Sequence, residues 1–89
     1  MKTNVYVVQY NEEENGEVME NGVCDVVYLN EDDAINQMWK LSDDKMNELL
    51  DDYEEDKIYR DVSGNDYIVV HSPNGMYEYS VSCCYFINK

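Results

Sequence analysis

Carboxylates are the residues in this chain with the greatest capacity for chemistry. Between Leu41 and Asp56 eight acids are crowded together, Asp43, Asp44, Glu48, Asp51, Asp52, Glu54, Glu55 and Asp56, and only Lys45 opposes them. Glu31, Asp32 and Asp33 precede them, and Glu12, Glu13, Glu14, Glu17 and Glu20 form a third group. Such groups can ligate a hard cation or present a fixed negative surface to a basic partner. A calcium loop of the EF-hand kind needs oxygens at alternate positions, a glycine at the sixth and a glutamate at the twelfth. No window of the chain supplies them, so any metal binding is expected to be nonspecific and no cofactor is expected.

The spacing favours a surface. Met46, Leu49, Leu50 and Tyr53 fall at i, i+3, i+4 and i+7, one face of a helix. Asp44, Glu48, Asp51 or Asp52, and Glu55 step by three or four along the opposite side. If the helix ran through Asp56, its acids would carry one charge per roughly 2.5 Å of axis at the usual helical rise. Duplex DNA carries one per about 1.7 Å. Acidic runs are most often solvated helix faces. Here like charges at i, i+4 oppose helix formation, and the same sign recurs in two other segments, which raises the weight of a partner.

Twenty acids against six bases give a net charge of −14. Direct contact with nucleic acid or an anionic membrane would be repulsive, so a basic protein is the expected partner. Acidity can also serve solubility alone, but this value exceeds the range of about 2–8 that suffices for a small domain. Halophily is a further reading with little in the composition to favour it. No stretch approaches the roughly 20 apolar residues of a membrane span, and the first residues read as a strand, not a signal-peptide core.

The remaining reactive types form no constellation. Cys24, Cys83 and Cys84 are an odd set with a vicinal pair, a poor disulfide framework, so reduced thiols in a cytoplasmic protein are expected. With one histidine, His71, and no Cys-x-x-Cys, a zinc site is not expected. Arg60 is the only arginine and cannot clamp a phosphate alone. The four glycines all fall at turn signals, which leaves no phosphate-binding loop. An enzyme is the least supported class. Nine tyrosines are explained mainly by core packing. An open, tyrosine-rich sheet face that binds another protein or a second copy of the chain is the sharper alternative.

The elements that must position these groups fit one domain of 89 residues, with a 44% apolar content too high for disorder. Thr3 to Tyr10 alternates as a strand. Asn11 to Gly22 is a polar hairpin tip with two Asn-Gly signals, and Val23 to Leu29 is the antiparallel return. Asn30 is a helix N-cap with Glu31, Asp32 and Asp33 in the first turn, where negative charge is favoured. Two helical segments with a break near Ser42 are expected, the alternative being one bent helix from Glu31 to about Tyr53. Trp39 is expected as a core anchor. Lys57 to Val62 reads as a short edge strand, Ser63 to Asp66 as a turn, Tyr67 to His71 as a strand, and Ser72-Pro73-Asn74-Gly75 as a hairpin turn. Met76 to Ile87 is the longest strand, with Tyr77, Tyr79, Val81, Cys83, Tyr85 and Ile87 on one face and Met76, Glu78, Ser80, Ser82, Cys84 and Phe86 on the other. The order β-β-α-β-β-β implies an α+β fold, an antiparallel sheet of about five strands with helix on one face and the other face open.

Small size, high acidity, reduced cysteines, and acids on a helix beside an antiparallel sheet make the chain resemble the small acidic inhibitors of phages and mobile elements. These include DNA-mimicking anti-restriction and anti-CRISPR proteins. The likeness spans Glu31 to Asp56 and is one of composition and layout. It implies a noncatalytic inhibitor in a bacterial or phage-infected cytoplasm that occupies the basic nucleic-acid channel of a nuclease or defence complex. Asp43, Asp44, Glu48, Asp51, Asp52 and Glu55 would then imitate phosphates, with Glu54, Asp56 and Glu31, Asp32 and Asp33 extending the surface.

Overall fold

A computed structural model describes residues 2–87, with side chains from Thr3 to Tyr85. The expected facing of Phe86 and Ile87 lies outside the described side chains. Five strands and one helix follow in the order β1 (Lys2–Glu14), β2 (Glu17–Tyr28), α1 (Glu31–Leu49), a 3₁₀ turn (Glu55–Lys57), β3 (Tyr59–Ser63), β4 (Tyr67–His71) and β5 (Gly75–Ile87). This is the expected α+β arrangement. All strand pairs are antiparallel, in the spatial order β2-β1-β5-β4-β3. The first and last strands therefore pair in the middle and join the N-terminal hairpin to the C-terminal meander.

That central pairing explains why the first two strands are longer than their apolar residues indicate. β1 pairs with β5 over its whole length, from Lys2 opposite Ile87 to Glu14 opposite Gly75. Backbone hydrogen bonding carries the strand through the glutamates, and the hairpin turns at Asn15-Gly16, both at positive φ (54° and 81°). Gly22, read from sequence as a second turn signal, instead sits inside β2 opposite Tyr10. A side chain there would meet the Tyr10 hydroxyl at 3.2 Å, so the glycine lets the ring lie across the strand. β2 is irregular further on. Two residues of β1 (Val7 to Gln9) span four of β2 (Val27 to Val23), which ends the simple alternation expected for Val23 to Leu29.

α1 is continuous through Ser42, contrary to the expected break. Ser42 is fully buried. Its hydroxyl donates to the Trp39 carbonyl oxygen (2.9 Å) and accepts from the Arg60 guanidinium (2.9 Å). A satisfied hydroxyl of that size fits at the helix–sheet interface, so the stripe Ala34, Met38, Ser42 and Leu49 stays in phase. The helix then ends at Leu49, short of Tyr53.

The core lies between α1 and one face of the sheet. Met38, Ile68, Val8 and Val70 are its largest fully buried apolar side chains, joined by Tyr77 and Tyr79. The opposite face carries no helix and holds Val5, Val7 and Val69, buried among their cross-strand neighbours. Two close approaches fix the far end. The Asn15 amide donates to the Asn74 carbonyl (2.7 Å), and Ser72 and Gly75 exchange backbone hydrogen bonds around Pro73-Asn74. A Cβ on Gly75 would stand 2.8 Å from the Glu13 carbonyl oxygen and 2.7 Å from the Tyr77 hydroxyl. Gly75→Ala is expected to lower stability by about 1–3 kcal/mol through this overpacking, read as a lower urea midpoint. A midpoint equal to that of the parent chain would show that the two arms part without strain.

Candidate functional site

All eleven acids singled out in the sequence are solvent-exposed. Glu31, Asp32 and Asp33 occupy the first turn of α1. The Asn30 side-chain oxygen accepts from the Asp32 amide at 2.7 Å, the expected cap. There the acids oppose the positive end of the helix dipole and stabilise the helix.

The acids at the other end are placed against local electrostatics. The last turn of α1 contains no basic residue. Glu48 lies within it, and Asp51 and Asp52 follow at the negative end of the dipole, where cations are favoured and anions are not. Glu54 and the 3₁₀ turn bearing Glu55 and Asp56 come next. The single straight ridge read from the spacing is therefore corrected. The helix stops before Asp51, and the following acids wrap its end instead of continuing its axis. The amides of Asp51, Asp52 and Tyr53 bond back to carbonyls of Glu48 and Leu49. The Tyr53 hydroxyl accepts from Asn74 (2.9 Å), which ties this turn to the β4–β5 corner.

On α1 itself the acids divide between two flanks. Asp43 faces β3 and pairs with Arg60, whose guanidinium also lies 4.7 Å from the centre of the Trp39 ring. Trp39 is thus partly buried against the core and covered by Arg60. Asp44 and Glu48 face β2 across a groove of about 270 Å³, in which Glu12, Glu20, Lys45 and Tyr79 also take part. Lys45 is the central cation. It sits 3.2 Å from Glu12, 3.4 Å from Glu48 and 4.9 Å from the centre of the Tyr77 ring. Burial lowers its pKa, but the carboxylates of Glu12 and Glu48 outweigh that and raise it overall. Among the described residues, no ion pair reaches the other nine acids.

Glu12 and Glu20 are the residues that reading the sequence missed as neighbours of the helical acids. They stand directly opposite each other on β1 and β2, a like-charge pair that is unfavourable unless a cation bridges nearby. An Asn-Gly turn at 15–16 with strands running through the glutamates would by itself set Glu12 opposite Met19. An irregularity between Glu12 and Glu13 shifts the register by one residue and brings Glu20 there instead, which the sequence did not signal. Glu14 reaches inward too and accepts from the Tyr77 hydroxyl at 3.0 Å.

The tyrosines are distributed differently from the open binding face considered above. Tyr77 and Tyr79 are buried beneath α1, and Tyr6, Tyr10 and Tyr28 pack against the same core. Burial pushes the Tyr77 phenol up to about 12, helped by Glu14. Tyr79 is raised further, by burial first and then by Glu12 and Glu48. The face without a helix presents Tyr67 and Tyr59, the latter stacked on His71 with ring centres 4.4 Å apart. His71 also contacts Asp61 at 3.0 Å.

Cys24, Cys83 and Cys84 are free thiols. Among the described residues no three His, Cys, Asp or Glu side chains are placed to hold a metal ion. No helix is long and apolar enough to cross a membrane. Compared with known protein families, curated proteins and solved structures, the chain gives no match.

Proposed function

We propose that this protein is a noncatalytic inhibitor whose carboxylate surface, wrapped around the end of α1, occupies the basic nucleic-acid-binding surface of a nuclease or defence complex. The observation that carries the proposal is the position of Glu48, Asp51 and Asp52, exposed and at the helix end where negative charge opposes folding. A surface selected only for solubility has no need to concentrate acids there. A basic partner offsets the mutual repulsion and gains fast, electrostatically steered association. Three free thiols fit action in the cytoplasm of a bacterial or phage-infected cell.

The alternative is a protein-interaction module that docks through the helix-free sheet face, either to another protein or to a second copy of the chain. Its support is weaker, because most strand tyrosines lie under the helix. Salt separates the two readings. Bait protein immobilised in a bacterial lysate at low salt is expected to retain nucleic-acid-binding proteins that duplex DNA displaces. They should elute near 0.5 M NaCl, where charges are screened within about 4 Å. Retention that survives this salt and ignores competing DNA would favour the sheet face and remove the inhibitor reading.

A further inference from the structure

Beside the acids of the helix end lies a groove whose walls come from separate segments. Asp43, Met46, Asn47 and Leu50 form one wall, and the 3₁₀ turn with Glu55 and the strand entry at Ile58 form the other. The four helix-side residues are spaced i, i+3, i+4 and i+7, so they make one continuous stripe. The groove encloses about 470 Å³, within the roughly 300–1,000 Å³ of sites that take a ligand. Ile58 is buried, Met46 is half-buried, and Leu50 keeps 45% of its surface exposed. Its lining is apolar in the middle with one carboxylate on each wall.

We infer that this groove seats one arginine side chain of the basic partner proposed above, and the inference rests on that reading. The charge pattern selects the occupant. An apolar guest would strip water from Asp43 and Glu55 without replacing its hydrogen bonds. An anion would be repelled. A long basic side chain covers Met46 and Leu50 with its methylenes and keeps its charge at the rim. Carboxylates on opposite walls suit the planar guanidinium, whose donors diverge, better than the compact ammonium of lysine. The chain shows the same chemistry on the adjoining flank, where Arg60 lies over Trp39 and donates to Ser42 and Asp43. Because Arg60 already takes up part of the charge of Asp43, Glu55 is the main counter-charge for the guest.

The test titrates the isotope-labelled full chain with hexa-arginine and hexa-lysine peptides at low salt and follows the backbone amide signals. Hexa-arginine is expected to bind more tightly, with its largest shifts at Asn47, Leu50 and Ile58. Leu50→Ala leaves the net charge untouched and is expected to weaken hexa-arginine about five- to tenfold, as loss of an anchor contact does. Glu55→Gln, on the separate turn, should weaken it similarly and gives a second variant independent of how Leu50→Ala folds. Salt-sensitive binding that ignores both variants, with shifts centred on Glu12 and Glu20, overturns the groove assignment alone. Failure of both peptides to bind at low salt overturns the groove and the acidic docking reading together.

Discussion

Replacing Asp51, Asp52 and Glu55 with Asn, Asn and Gln is expected to lower affinity for the basic partner about a hundredfold while making the fold more stable. The binding loss follows from removing three charges from a surface that attracts its basic partner electrostatically. A hundredfold change needs about 2.7 kcal/mol in total, an amount that several charge pairs desolvated at an interface can supply. The stability gain follows from position. Asp51 and Asp52 follow the last turn of a helix with no basic residue in that turn, so neutral side chains there relieve an unfavourable dipole interaction. A rise in Tm of about 2–5 °C is expected for a domain this size. The two effects have opposite signs, which separates a binding surface from a structural one. Competition with duplex DNA for the captured partner measures the first, and thermal unfolding followed by circular dichroism measures the second. Undiminished affinity in the triple variant would falsify the inhibitor reading.

Lys45→Met is expected to produce the largest loss of stability among the charged positions, about 2 kcal/mol. The side chain is only 13% exposed, with Glu12, itself 20% exposed, as its closest partner. Removing one member of a buried pair typically costs about 3–5 kcal/mol, because the remaining charge is left without compensation. The figure is smaller here because the second partner, Glu48, is 69% exposed and well screened by solvent. Methionine keeps the packing of the stem near Tyr77, so the loss reports the charge. It should appear as a lower urea midpoint with an unchanged slope. Glu12→Gln added to Lys45→Met should recover part of the loss, since the carboxylate facing Tyr79 and Glu20 is then gone. A Lys45→Met variant as stable as the parent would show that the groove tolerates its four acids without a cation.

The same groups set the response to alkali. Lys45, Tyr77 and Tyr79 all have pKa values raised in the folded chain. A group of this kind holds its proton more tightly when folded, so its contribution is complete below its unfolded pKa and is lost as pH rises through the folded one. Stability is therefore expected to fall as pH climbs above about 10, the ordinary range of tyrosine and lysine.

Much of this molecule was determined by local sequence. Asn30 before three acids is enough to start a helix, because the cap bond and the dipole act within one turn. Ser72-Pro73-Asn74-Gly75 and Asn15-Gly16 set their own turns through backbone preferences, a continuous apolar run marks β4, and period-two alternation marks β5. Together these define the order β-β-α-β-β-β and the antiparallel sheet. Other features depend on residues far apart in the chain, and spacing alone does not encode them. Ser42 stays helical because Arg60, eighteen residues later, satisfies its hydroxyl in a buried site. The strands run through Glu12, Glu14 and Glu20 because β5 arrives to pair with β1, which no propensity of glutamate would indicate. Those pairings bring Glu12 and Glu20 beside Asp44, Glu48 and Lys45. The helix ends at Leu49 although its acidic periodicity continues, because the turn at Asp51 and Asp52 brings Tyr53 to Asn74 and Ile58 into the core. The sign and abundance of the charge were legible in the chain itself. Its shape, two acidic flanks and a wrapped helix end in place of a straight ridge, was decided by tertiary packing, which alone determines which side chains share a surface.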